Sequence, residues 1–152
     1  IDKDYEGKEI ILVGILTGSV VFMVELATRL KTKVQFEFIE VSNYEGTEST
    51  GKIKIKKDLQ NDIEGKDVLI VEDIIDTGNT LSYLKEYFQE KNPNSLKIVT
   101  LLSKPSRRIK ELDVEYIGFK IEDKFVIGYG LDYNQNYRNL PYIGYIEDGD
   151  KI

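Results

Sequence analysis

The sequence has no cysteine, no histidine and no tryptophan, and only one methionine and three prolines in 152 residues. Without cysteine it can form no disulfide, thiol nucleophile or thiolate metal site. Without histidine it can form no imidazole-dependent triad and no Cys/His zinc site. General base work must therefore fall to Asp, Glu, Lys or Tyr. Any metal site must be built from oxygens, which favours Mg²⁺. The absence of cysteine suits a reducing cytoplasm, the expected location. No apolar run approaches the roughly 18 residues of a membrane span and no signal-peptide pattern opens the chain, so no membrane partner is expected. The sequence opens on Ile1 rather than methionine, which leaves room for an N-terminal piece. Basic residues are also in the minority, 21 Lys and Arg against 27 Asp and Glu, giving a formal net charge of -6. A surface devoted to nucleic acid is not expected from that balance.

What is present fits one globular domain with a real core. The chain is 41% hydrophobic and 32% charged, an ordinary composition for a domain of this length. Its most informative stretch runs from Val68 to Leu81. Val68-Leu69-Ile70-Val71 is a continuous β-branched and aliphatic run, as expected of a strand buried on both faces in a parallel sheet. Glu72 and Asp73 follow, then Ile74 and Ile75, then Asp76-Thr77-Gly78-Asn79-Thr80. Leu81, Leu84, Tyr87 and Phe88 then recur at helical spacing, which predicts a helix beginning near Asn79. The unit is strand, short polar loop, helix, and ligands of open α/β sheets bind at the carboxyl ends of strands. Gly78 permits a close backbone approach, and the free amides at a helix start suit a phosphate. Glu72 and Asp73 accept hydrogen bonds only, which suits vicinal hydroxyls, directly or through a divalent cation. Together these describe a sugar phosphate. The same acids and threonines would also serve as ordinary helix caps, and the residues alone leave both readings open.

Four apolar residues, two acids, two apolar residues, Asp-Thr-Gly, then Asn79 and a further Thr make a thirteen-residue signature. It resembles the phosphoribosyl-pyrophosphate (PRPP) loop of the type I phosphoribosyltransferases, and within them the hypoxanthine-guanine phosphoribosyltransferases. The resemblance runs from about Leu12 to Ile146. It implies an α/β fold with a central, mainly parallel twisted sheet flanked by helices, a small hood over about 119–152 and a flexible lid loop over about 42–52, all within a single domain, 1–152. It also implies that Thr77, Gly78, Asn79 and Thr80 hold the 5′-phosphate. Glu72 and Asp73 would hold the ribose hydroxyls and the associated Mg²⁺.

The remaining segments can be set beside that resemblance in chain order. Ile10-Ile11-Leu12-Val13 is a second buried-strand run, followed by a loop between glycines and a helical pattern at Val20, Met23, Val24, Ala27 and Leu30, with Ser19 as N-cap. Ordinary strand–helix packing explains this, and so does an anion site. The resemblance implies that Leu16, Thr17 and Gly18 bind pyrophosphate around a non-proline cis bond between Leu16 and Thr17. Thr17 stands where lysine is commoner in the family. Val34 to Val41 alternates apolar and polar residues, as a strand with one wet face should. The polar run from Ser42 to Gly51 is either a solvated hairpin connection or a lid that excludes water. The resemblance favours a lid with Asn43 and Tyr44 in place of Ser-Tyr, and Ile53 and Ile55 in its returning strand.

Asn92-Pro93-Asn94 is a stop and turn, and Leu96 to Leu102 a further strand, ending at Ser103-Lys104-Pro105. By itself Lys104 is easily a surface charge. The resemblance implies that it meets the oxygen at purine position 6. Val114 to Phe119 reads as a strand, and the glycine- and aromatic-rich segment from Ile121 to Tyr133 reads as mostly structural. By resemblance, Phe125 stacks on the purine, Val126 lies against its edge, and Asp132 sits near the metal or the purine 2-position. Arg138, otherwise a surface charge, would bind pyrophosphate, and Leu140 to Ile146 would contain the hood's terminal strand. Asp76 is assigned as the catalytic group that takes or shares the purine N7 proton. The expected partners are a 6-oxopurine, PRPP and further copies of the chain, as a homodimer or homotetramer. Two alternatives stay open, an inactive nucleotide-sensing regulator of the same fold and a transferase for adenine or a pyrimidine.

Overall fold

The computed structural model describes residues 1–43 and 52–147. Residues 44–51 of the expected lid, Tyr44 among them, lie outside these. An eight-residue and a nine-residue strand, both largely apolar, form the centre: β1 (Glu9–Leu16) and β4 (Asp67–Ile75) run parallel and side by side. β2 (Lys33–Asn43) lies parallel to β1 on its outer edge, and β3 (Ile53–Lys57) pairs antiparallel with β2. On the other side β5 (Ser95–Ser103) and β6 (Tyr116–Lys120) continue the parallel sheet, giving the order β3-β2-β1-β4-β5-β6. After β1 the chain crosses to one side of the sheet, and after β4 to the other. The carboxyl ends of β1 and β4 therefore form a topological switch point, where their loops diverge and leave a crevice.

Helix α1 (Val20–Arg29) covers one face of this sheet and α2 (Asn79–Gln89) the other. Strand alternation explains why the central runs are apolar throughout. Ile11, Val13, Val68 and Ile70 pack in one cluster with Leu81, Leu84 and Phe88 of α2. Their neighbours Ile10, Leu12, Leu69 and Val71 pack in the other with Met23 of α1. The central residues of β1 and β4 are thus buried on both faces, as parallel strands covered on both sides require. The short connection from α2 to β5 turns at Asn92, which sits at φ 53°, a left-handed position that asparagine tolerates.

Two small strands lie outside the sheet. β7 (Phe125–Ile127) and β8 (Gly144–Ile146) pair antiparallel near the end of the chain. A 3₁₀ turn, Pro105–Arg107, follows β5.

Details of β4, α1 and β2 depart from the sequence expectations. β4 extends to Ile75, because its pairing with β5 continues through Ile74 and Ile75; Glu72 and Asp73 thus lie within the strand and not after it. Ser19 occupies the N-cap position of α1, but its hydroxyl donates back to the carbonyl of Ile15 (2.7 Å) instead of capping the helix. The wet face foreseen for β2 is only partly wet. Gln35 is exposed, but Glu37 is only 5% exposed. Its carboxylate accepts from the backbone amides of Gln60 and Asn61 and from the Asn61 side chain. The segment after β3 folds over that part of the strand.

Candidate active site

Every segment of the site hangs from a carboxyl end of the sheet. The loop after β1 carries Leu16, Thr17 and Gly18, and the Leu16–Thr17 peptide is cis. Gly18 lies so close to β4 that a methyl group in its place would collide with the Asp73 carboxylate, and would stand 3.6 Å from an Arg138 Nη. Glycine is thus required there by contact. Leu16, Thr17, Gly18, Asp73 and Arg138 come together in the crevice between β1 and β4.

Glu72 and Asp73 are an unusual pair for adjacent residues. Glu72 is 8% exposed, and its Oε1 accepts the Asp73 amide at 2.9 Å. Burial pushes its carboxyl well above the ordinary range, and the neighbouring Asp73 charge pushes it the same way. Asp73 is raised as well, chiefly by burial, while its hydrogen bonds and the Arg138 guanidinium oppose the rise. Two crowded, poorly hydrated carboxylates side by side are suited to a cation or to hydroxyl donors. Asp132 does not join them in a three-carboxylate cluster; among the described residues no group of three acids gathers for a metal. It lies 3.4 Å from Arg138 and accepts the Gln135 amide. Two protein carboxylates still fit Mg²⁺, which normally completes its shell with water and substrate oxygens.

The loop after β4 forms a small cleft of about 100 Å³, lined by Glu72 and residues 74–81. That is the volume of roughly three waters, enough for a phosphate group. Gly78 stands at the N-cap of α2 with φ 86°, the left-handed region where only glycine is unstrained. Gly78, at the N-cap, has no side chain to cap α2, and the first turn of the helix holds no acid. The acids therefore do not cap this helix, and capping accounts for Thr77 alone. The Thr77 hydroxyl accepts the Asn79 amide at 3.3 Å. The amides of the first turn, with Thr80 beside them, face the cleft at the positive end of the helix.

Lys104 follows β5 and is 7% exposed, so it is not the surface charge its position suggested. Its amide donates to the carbonyl of Ile75 (2.9 Å), fixing it beside the Asp76 loop. Its ammonium lies 3.5 Å from Asp123. Asp76 is met by Arg107, Nε to Oδ1 at 3.3 Å. Phe125, on β7, keeps half its surface exposed and packs edge-on against Tyr133, ring centroids 5.6 Å apart. Val126 beside it pairs with Tyr145 of β8. Arg138 is anchored by donating to the carbonyl of Gly130 (2.7 Å). Asn43 ends β2 opposite Ile53, at the edge of the sheet.

Comparison with known proteins decides the family. The family model for the phosphoribosyl transferase domain matches residues 1–134. The hypoxanthine-guanine phosphoribosyltransferase of Staphylococcus aureus (strain Mu50 / ATCC 700699) is 55% identical over 143 residues, 93% of this chain and 80% of that protein. The chain belongs to the hypoxanthine-guanine phosphoribosyltransferases. Solved structures of the family agree. A Bacillus anthracis hypoxanthine-guanine phosphoribosyltransferase with HEPES in the active site superposes with a TM-score of 0.91 at 47% identity, covering 96% of this chain and 86% of that one. The Trypanosoma cruzi hypoxanthine phosphoribosyltransferase in complex with the product IMP gives 0.90 at 39% identity, covering 96% and 83%. The fold expected from the sequence, a mainly parallel sheet with helices on both faces, is the fold of this phosphoribosyltransferase family.

Three residues in contact with the candidate site residues escaped the sequence reading. Asp123 and Arg107 link Lys104 to Asp76, and Arg108 binds Ser103 Oγ (2.9 Å) and the Asp76 carbonyl (3.3 Å). The available signal was the Lys-Pro-Ser-Arg-Arg run, in which a proline after the strand starts a tight turn and brings residues three apart to one side.

Proposed function

We propose that this chain transfers the phosphoribosyl group of PRPP to N9 of hypoxanthine or guanine, releasing pyrophosphate and giving the nucleoside 5′-monophosphate, a purine-salvage reaction; xanthine is a third candidate base. The observation that carries the base assignment is the buried Lys104 beside the Asp76 loop. An ammonium there favours a 6-oxo group, whereas a 6-amino group would set donor against donor.

In this reading the amides and hydroxyls from Thr77 to Thr80 hold the 5′-phosphate, and Glu72 and Asp73 hold the ribose hydroxyls. The loop of Leu16, Thr17 and Gly18 orients the pyrophosphate, and Arg138 balances its charge as it leaves. Departure of pyrophosphate ahead of attack by N9 gives the ribose oxocarbenium character. The carboxylate of Asp76 takes or shares the N7 proton as N9 attacks. Phe125 stacks on the purine through its exposed face, with Val126 at the base edge. Mg²⁺ held by Glu72 and Asp73, with Asp132 nearby, would neutralise charge on the departing pyrophosphate. The lid, with Asn43 and Tyr44, would exclude water from PRPP, and residues from about 119 onward would form a hood over the base within one domain.

Two further parts of the proposal concern the whole molecule. Assembly into a homodimer or homotetramer is supported by the exposed apolar side chains Val24 and Phe36, which an interface between copies would cover. A cytoplasmic location is proposed for a chain in which, among the described residues, no helix is long and apolar enough to cross a membrane.

The experiment is a chromatographic assay with PRPP, Mg²⁺ and a mixture of hypoxanthine, guanine, xanthine and adenine. Monophosphates of the oxopurines, with adenine untouched, are the expected products. PRPP binding without any nucleotide formed would instead make the chain a sensor of the same fold.

A further inference from the structure

The base site contains a chain of alternating charge whose two middle members the reaction as described does not use. Lys104 Nζ lies 3.5 Å from Asp123 Oδ1, Asp123 Oδ2 lies 3.6 Å from Arg107 Nη1, and Arg107 Nε lies 3.3 Å from Asp76 Oδ1. Its two ends are the residues assigned to the purine's oxygen and to its N7 proton. Local structure explains the bridge. Lys104 is the N-cap of the 3₁₀ turn Pro105–Arg107, and the Arg107 amide donates to the Lys104 carbonyl (3.1 Å). Residues three apart on such a turn are eclipsed, so both cations point to the one carboxylate between them.

The turn is itself fixed to the phosphate loop. Arg108 donates to the Asp76 carbonyl, and the amides of Ile109 and Lys110 donate to the Thr77 carbonyl at 2.9 and 3.1 Å. Arg107 is therefore mounted on a segment that cannot shift without moving the loop it serves.

We propose that Arg107 is a positioning residue of the base site. It holds the Asp76 carboxylate toward N7 directly and the Lys104 ammonium toward the 6-oxo group through Asp123. Donor and acceptor counting supports this division of labour. Arg107 occupies Oδ1 of Asp76 and leaves Oδ2 free to accept from N7. Lys104 has three N–H donors, so it keeps Asp123 while donating to the oxopurine. Asp123, Arg107 and Asp76 are all about half exposed, and half-exposed ion pairs add little to folding. Their consequence lies in the direction of the two side chains that meet the base.

The proposal rests on the transferase reading above, and the test separates the two. Arg107→Met, Arg107→Lys, Asp123→Asn and the double variant Arg107→Met/Asp123→Asn are compared with the unmodified chain in steady-state kinetics, varying hypoxanthine and PRPP in turn. Arg107→Met should lower kcat and raise KM for hypoxanthine, for a loss of about tenfold or more in kcat/KM, and leave KM for PRPP within about twofold. Arg107→Lys should recover most of that loss. Asp123→Asn should cause a similar split, and the double variant should be no worse than the more impaired single one, because both changes cut one chain. An active unmodified enzyme with Arg107→Met unchanged in KM and kcat would overturn the proposal alone. So would an equal rise in KM for PRPP, or a double variant whose losses multiply. An unmodified chain that forms no nucleotide would overturn both readings.

Discussion

Replacing Glu72 by Gln should stabilise the ligand-free protein in a way that depends on pH. Glu72 is buried next to Asp73, and its carboxyl is raised well above the ordinary range, first by burial and then by that neighbour. A carboxyl raised by folding binds its proton more tightly in the native than in the unfolded chain. Between the ordinary carboxylate range and the raised value, the native state therefore holds more protons, and stability falls as pH rises. Below the ordinary range both states are protonated and nothing is lost. The slope for one such group is about 1.4 kcal/mol per pH unit. For a chain of this size 1 kcal/mol is about 2–4 °C in Tm, so the slope is about 3–6 °C per pH unit. Glutamine has no proton to lose. Its carbonyl still accepts the Asp73 amide, and its NH₂ donates to the Asp73 carboxylate where two anions would otherwise meet. Melting curves in metal-free buffers from about pH 4.5 upward should start together and then separate, with the variant above. Parallel curves across the range would refute the reasoning.

Gly18→Ala puts a methyl group against the Asp73 carboxylate; it should cost about 1–3 kcal/mol in melting experiments and about 10²-fold in kcat/KM for PRPP, since small displacements at a reacting centre are costly. Glu37→Ala removes the acceptor of three hydrogen bonds under the segment after β3. It should cost about 2 kcal/mol, a fall of about 4–8 °C in Tm, with kcat unchanged in the nucleotide assay. PRPP at about a hundred times its Kd should stabilise the protein by about 2.7 kcal/mol with Mg²⁺ present. Most of that shift should vanish when EDTA is added, as differential scanning fluorimetry would show.

The parts of the fold legible in the sequence are those where a local pattern has one physical solution. The apolar runs Ile10–Val13 and Val68–Val71 are continuous because both faces of β1 and β4 are covered. The helix after Gly78 begins at Asn79, as its spacing predicts. Features set by distant chain segments were not legible. Glu37 looks solvated in an alternating strand, and only the return of residues 60–61 buries it. Lys104 looks like a surface charge until its packing beside Ile75 is seen. Arg107 is signalled only by the proline that starts its turn, and Asp123 by nothing of its own, because their roles depend on that 3₁₀ turn and on a loop that meets it from another part of the chain. β6 spans Tyr116–Lys120, two residues later than the start of the apolar pattern at Val114. Val114 instead packs against the core cluster under α2.

The central claim is that Asp76, in the loop between β4 and α2, handles the proton of the base while its neighbours hold PRPP. Asp76→Asn tests it most directly, with kcat for hypoxanthine and the Kd for PRPP measured on the same preparation. The account predicts a fall in kcat of about 10²-fold or more with PRPP affinity largely intact. An unchanged kcat would remove Asp76 from the mechanism and contradict the account.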